Sequence, residues 1–162
     1  MAVEIERKFL VVGDEWRREV VRQQSMRQGY LNRPGSCSVR LRIQGDEAFL
    51  NIKQAVTGRE RLEFDYSVPL QDAMEMLDAL ADGPLIEKTR YWVECAGVTW
   101  EIDVFHGENA GLVVAEVELD EVDANFVRPS WLGREVTDEE RYYNVALSRR
   151  PYSQWTDAER RG

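Results

Sequence analysis

Apolar and polar residues alternate singly along most of this chain, and a period of two predicts strands with two unlike faces. Strand-like runs span residues 3–12, 28–32, 38–44, 48–54, 59–68, 86–95, 99–105 and 112–119. Turn formers separate them at Arg33-Pro34-Gly35, Gly45-Asp46, Thr57-Gly58, Ala96-Gly97 and 106–111. Eight short strands joined by tight turns predict a mainly β (α+β) fold, an antiparallel sheet or barrel. Helical spacing occurs in three places. Residues 14–24 carry Trp16, Val20 and Val21 on one face, with Asp14 as N-cap. Residues 70–80 repeat Leu70, Ala73, Met74, Leu77 and Leu80 before Asp82-Gly83-Pro84 ends the run. Residues 137–149 open with Thr137 and Glu140 at capping-box spacing and predict a buried stripe of Tyr143, Ala146 and Leu147. Residues 1–150 read as the folded domain and 151–162 as a flexible tail, which leaves Trp155 without an assignment.

Composition narrows the chemistry. The chain has 162 residues, 43% of them hydrophobic, enough for one compact domain with a core. Lys and Arg number 21 against 30 Asp and Glu, and a net charge of −9 argues against duplex nucleic acid as partner. One histidine, His106, and two cysteines, Cys37 and Cys95, are too few for a disulfide scaffold or a His/Cys zinc site. Glu4, Glu6, Arg7 and Lys8 interrupt the apolar start, so no signal peptide is expected. No run of 18 apolar residues occurs, so no membrane helix is expected. Together with unpaired cysteines this predicts a cytoplasmic protein.

Sorted by parity, the polar face of the strands is unusual. Glu4, Glu6 and Lys8 share a face, as do Arg40 and Arg42, and Asn51 and Lys53. Arg61, Glu63 and Asp65 follow on the fifth run, Lys88 and Arg90 on the sixth, Glu101 and Asp103 on the seventh, and Glu116 and Glu118 on the eighth. A solvated sheet face explains any one strand. Taken together, the positions are dominated by Arg, Lys and carboxylates, and the signs are grouped by strand. If the sheet closes, these charges line a wet lumen, with carboxylates on one wall and cations on another. Such a lumen suits a polyanion held with a divalent metal, since Mg²⁺ takes a few carboxylates plus phosphate oxygens. The competing reading keeps the charges as structural ion pairs.

The opening Glu4-Ile5-Glu6-Arg7-Lys8 resembles the ExExK signature of the CYTH superfamily, the triphosphate tunnel metalloenzymes. It has ordered company: Arg27-Gln28-Gly29-Tyr30-Leu31, Arg40-Leu41-Arg42, Lys53, and Glu87-Lys88-Thr89-Arg90-Tyr91. Glu101-Ile102-Asp103-Val104-Phe105, Glu116-Val117-Glu118 and Gly133-Arg134-Glu135-Val136-Thr137 complete it, over residues 3–147. The likeness is greatest to short bacterial members, which act as inorganic triphosphatases. The resemblance implies an eight-stranded antiparallel closed barrel, with Glu4, Glu6, Glu63, Glu116 and Glu118 toward Mg²⁺ or Mn²⁺. It implies Lys8, Arg40, Arg42, Lys53, Arg61, Lys88 and Arg90 as triphosphate ligands. Asp103 is implied to orient metal or water, and Asp65 stands where Glu is usual.

The implied reaction is hydrolysis of inorganic triphosphate to pyrophosphate and phosphate, and it needs no histidine: charge neutralisation and an in-line water suffice. Lys8 is open to two readings, phosphate ligand or general base, and Tyr30 to two, a hydroxyl near substrate or strand packing. The expected partner is a small anion, with no duplex nucleic acid and no membrane, the chain being a monomer or homodimer. Family members acting on ATP (class IV adenylate cyclase), thiamine triphosphate or nucleoside triphosphates share this tunnel. A non-catalytic polyphosphate-binding module is the alternative of a different class, and it would need the cations without the metal carboxylates.

Overall fold

The computed structural model describes residues 3–33 and 35–162; Pro34, the middle of one expected turn, lies outside the described residues. Among these residues nine strands form one sheet. They are β1 (Val3–Val11), β2 (Val20–Tyr30), β3 (Cys37–Gln44), β4 (Glu47–Gln54), β5 (Glu60–Val68), β6 (Ile86–Cys95), β7 (Val98–Phe105), β8 (Val113–Glu118) and β9 (Leu132–Glu135). The order is β5-β4-β3-β2-β6-β7-β8-β1, and β1 returns to β5, so eight antiparallel strands close into a barrel. β1 reaches this position by changing neighbours along one edge. Val3, Glu4 and Ile5 face Leu62, Arg61 and Glu60 of β5, whereas Phe9 and Val11 face Glu135 and Leu132 of β9. Its other edge pairs with β8, which puts Glu6 opposite Glu118 and Lys8 opposite Glu116.

The outward face is covered in pieces. Phe9, Val93, Trp100, Ile102, Ala115 and Val117 pack with Trp16, Trp131 and Leu132. Helix α1 (Leu70–Leu80) covers the other side, with Ala73 and Leu77 buried against Leu41 and Ala48. Its approach to β2 depends on Gly29: a Cβ there would lie 2.7 Å from Leu85 Cδ2 and 3.0 Å from Leu77 Cδ2. No helix among the described residues is long and apolar enough to cross a membrane.

On the inward parity β1, β6, β7 and β8 change character toward one end of the barrel. Lys8 is followed by Leu10, Lys88 is preceded by Ile86, Asp103 is followed by Phe105 and Glu116 is preceded by Val114. These apolar residues, with Tyr30, join Val136, Tyr142, Leu147 and Trp155 in one cluster, so the C-terminal segment fills that end.

Four expectations are corrected. Residues 14–24 are no helix: a 3-10 turn covers Glu15–Glu19, and β2 begins at Val20. Eight residue pairs with β6 outweigh a helical pattern that had only Trp16 to bury. Residues 137–149 form a 3-10 turn, Glu140–Tyr142, and a four-residue helix α2, Asn144–Leu147. Thr137 caps nothing; its hydroxyl accepts the Lys8 amide N–H at 3.0 Å and donates to Glu135 at 2.5 Å. β9 escaped notice because four residues containing a glycine carry no period. The tail is folded: Tyr152–Gln154 form a 3-10 turn and Asp157–Arg161 helix α3, which starts with a complete capping box of Thr156 and Glu159. Trp155 is only 4% exposed and meets Tyr142 and Tyr152 edge to face at 5.0 Å each.

The packed tail yields the first prediction. Trp155→Ala should cost about 3 kcal/mol in urea denaturation, the lower end for loss of a buried tryptophan. A change below about 0.5 kcal/mol, the scale of surface substitutions, would show that the tail does not contribute to the fold.

Candidate functional site

The inward parity of β1 and β3–β8 surrounds a cavity of about 600 Å³. Glu4, Glu6, Lys8, Tyr30, Arg40, Arg42, Lys53, Arg61, Glu63, Lys88, Arg90, Glu116 and Glu118 all line it. Asp103, expected beside them, shares the inward parity of β7 but is not among the lining residues: it is fully buried, with Lys88 Nζ at 2.7 Å from Oδ2 and Arg90 Nε at 2.8 Å from Oδ1. Arg90 Nη2 adds a third bond at 2.9 Å. Burial alone would raise the Asp103 carboxyl; Arg90 and Lys88 outweigh it and hold the group well below the usual carboxylate range. As placed, Asp103 holds the Lys88 and Arg90 side chains in position.

The cations fall into two groups. Lys8, Lys53, Lys88 and Arg90 each meet a carboxylate. Lys53 Nζ lies 2.9 Å from Glu4 and 3.9 Å from Glu6, and Lys8 Nζ lies 3.4 Å from Glu116. Arg90 also meets Glu101. Arg40, Arg42 and Arg61 form no ion pair among the described residues. Arg40 Nε and Arg61 Nε are buried without any hydrogen-bond partner, an arrangement that costs free energy until an anion arrives. Burial, together with Arg40 and Arg90 nearby, lowers the Arg42 guanidinium to about 9, and it stays charged at neutral pH. Arg42 Nε donates to Gln28 Oε1 at 2.9 Å. The Tyr143 ring stands between Lys8 Nζ and the Arg61 guanidinium, 5.0 Å from each.

The carboxylates show the opposite imbalance. Burial, and then the Glu116 carboxylate, push Glu6 up to about 7, with Lys53 opposing. Burial raises Glu4 too; Lys53 opposes this, while Glu63 adds to it. Glu4 Oε2 is buried and accepts no hydrogen bond of acceptable geometry. Burial would raise Glu116 as well, yet Lys8 and Arg90 outweigh it and bring it down to about 2. Glu63 accepts from Asn51 Nδ2 at 2.5 Å, and Glu118 is exposed at the rim. Among the described residues no three carboxylates converge into a finished cation cage, because Lys53 and Lys8 draw them apart. The donor set nonetheless fits a hard cation. It is all oxygen, and both the raised Glu4 carboxyl and the mutual repulsion of Glu6 and Glu116 would be relieved by further positive charge.

Several lining residues were missed. Glu101 lay on the correct face but carried no motif of its own assignment. Thr57, Glu140, Tyr143, Asn144, Arg149 and Arg150 also line the cavity. They come from a turn and from the C-terminal segment, where strand parity gives no signal. Gln28, fully buried, was passed over as one polar residue in a strand. His106 stays outside the cavity, its Nε2 2.8 Å from Thr89 Oγ1.

Comparison with known proteins agrees with this geometry. The CYTH domain model matches residues 2–152. An inorganic triphosphatase of Acetivibrio thermocellus is 43% identical over 157 residues, covering 97% of this chain and all of its own. One of Nitrosomonas europaea is 40% identical over 149 residues, with 90% and 96% covered. The crystal structure of an inorganic triphosphatase superposes with a TM-score of 0.65 at 39% identity, covering 91% of this chain and 95% of that one.

Glu6 provides the second prediction. Its pKa is raised from 4.5 to about 7 by folding, so its charge is tolerated less in the fold than in the unfolded chain. The cost is absent below pH 4.5, grows as pH rises from 4.5 towards 7, and is fully present above about 7. In metal-free buffer Glu6→Gln should therefore stabilise the protein at pH 8 by about 1–3 kcal/mol, and by little at pH 4.5. Melting curves of both proteins at the two pH values check this, and a gain that is equal at both would refute it.

Proposed function

The chain belongs to the CYTH domain family, and from that membership and its cavity we propose that it hydrolyses inorganic triphosphate to pyrophosphate and phosphate with a divalent cation. The observation that carries the reading is the group Arg40, Arg42 and Arg61, three cations in a closed barrel with no ion-pair partner among the described residues. A structural network would have neutralised them; a site for a small polyanion leaves them open. Arg40 and Arg42 are two apart on β3 and project into one space, where guanidinium forks can hold neighbouring phosphate oxygens. Arg61 and Lys53 extend the same surface from β5 and β4.

Water attacks a terminal phosphorus and gives up a proton to a lumen carboxylate or to solvent, the bond to the bridging oxygen breaks, and pyrophosphate leaves carrying that oxygen's charge. The lumen cations are already in place where this charge develops, so no reorganisation is needed during the step. Lys8 is tied to Glu116 and to the Tyr142 carbonyl at 3.4 Å, which favours its role as a fixed positive charge over that of a base. Tyr30 lies opposite Arg40 across the β2–β3 ladder and is nearly buried, so its hydroxyl serves to hold substrate or water. Glu4, Glu6, Glu63, Glu116 and Glu118 would hold Mg²⁺ or Mn²⁺, which supplies positive charge to the phosphate oxygens and makes a water more acidic.

Two outcomes are expected of the purified protein. Tripolyphosphate should be cleaved with kcat/KM well above that for ATP, with activity lost in EDTA and restored by Mg²⁺ or Mn²⁺. Equal efficiency on ATP, cyclic AMP as a product, or full activity in EDTA would overturn the reading. The walls should separate as well. Arg40→Ala should lower kcat/KM by about 10–150-fold, the loss of charge-assisted bonds worth 1.5–3 kcal/mol. Glu118→Ala should raise the metal concentration needed for half activity and recover with added metal. Rescue of Arg40→Ala by metal would show the walls to be misassigned.

A further inference from the structure

Asn144 opens helix α2 at the filled end of the barrel, and its side chain reaches the cation wall. Its Oδ1 accepts from Lys88 Nζ at 2.9 Å and from Gln28 Nε2 at 3.0 Å. Gln28 in turn accepts from Arg42 Nε at 2.9 Å through Oε1. Lys88 and Gln28 are almost wholly buried, so no water competes for these bonds. One carboxamide oxygen thus fixes two separate cations.

We propose that Asn144 is a positioning residue for the triphosphate site, setting how Lys88 and Arg42 present their N–H groups to the anion; this rests on the triphosphate reading above. The donor arithmetic makes the role specific. An ammonium has three N–H bonds. Lys88 gives one to Asp103 and one to Asn144, which leaves the third, on a residue that lines the cavity, for an anion. Gln28 is held from both ends, its Oε1 accepting from Arg42 and its amino group donating to Asn144. Reversed, that amino group would face the Arg42 N–H, donor against donor. With the carboxamide held, Arg42 Nε is satisfied within the wall, and both terminal amino groups remain for phosphate oxygens. Loss of Asn144 frees Lys88 to turn and leaves the Gln28 amino group buried without its acceptor, so the carboxamide under Arg42 is less firmly held and two ligands lose their fixed geometry although neither is itself changed.

The test measures tripolyphosphate binding by calorimetry in metal-free buffer, on the full chain and well below its melting temperature. Asn144→Ala is expected to weaken binding about tenfold. Gln28→Leu, which keeps volume but breaks the next link, should weaken binding to a similar extent and carries the test if the alanine variant does not fold. Because both act through one chain of bonds, the double variant should also lose about tenfold, not a hundredfold. KM should rise in the same order in the metal-loaded enzyme. A purely structural role would lower the melting temperature and leave the dissociation constant unchanged, and that result, or a hundredfold loss in the double variant, overturns the proposal. If the unsubstituted protein itself does not bind tripolyphosphate, the triphosphate reading is what fails.

Discussion

The barrel is closed over a short seam. Val3, Glu4 and Ile5 meet Leu62, Arg61 and Glu60, and beyond these three pairs β1 turns to β9. Everything in the cavity depends on this seam, because it carries the glutamates of β1 across to the cations of β4 and β5. Lys53 then reaches Glu4, and Arg61 stands directly opposite Glu4 on the ladder. Side chains alternate along a strand, so once the seam is fixed each inward position follows without further choice. The geometry of the wall is therefore a property of register.

Within the ring, the cost of burying charge is distributed unevenly. Asp103 with Lys88 and Arg90 is a satisfied unit, in which short bonds compensate desolvation. Glu6 beside Glu116, and Arg42 beside Arg40, are not satisfied by the protein alone. Rigid, settled ion pairs thus frame two unsettled groups of opposite sign. Neighbouring groups of excess negative and excess positive charge are what a metal and a polyanion bind together, each reducing the cost of the other.

Much of this was legible in the chain because strand parity is a strong signal. The eight barrel strands, β2 only in part, and helix α1 follow from alternation and from the ordered motifs, and thirteen of the fourteen expected site residues line the cavity. What escaped is of two kinds. β2 was shortened because Trp16, Val20 and Val21 imitate a helical face over a few residues, and only the pairing with β6 decides otherwise. The C-terminal segment was misread because its buried residues, Tyr142, Leu147 and Trp155, follow no period; they fit a hole left by Leu10, Tyr30, Ile86 and Phe105. No local rule anticipates the shape of a hole made by other strands. Asn144 and Tyr143 were missed with it.

The place of β1 in the ring also orders events in time. Strand β1 emerges first during synthesis, yet its partners β5, β8 and β9 come from residues 60–62, 114–118 and 132–135. Until these have emerged, Glu4, Glu6 and Lys8 stay in water on an unpaired ribbon, which their charges keep soluble and poorly suited to edge-to-edge association. The seam between β1 and the rest of the sheet is made of contacts of long sequence separation, the kind whose loop-closure entropy slows folding. Alternating charge on the first strand thus protects the nascent chain before it serves the finished cavity.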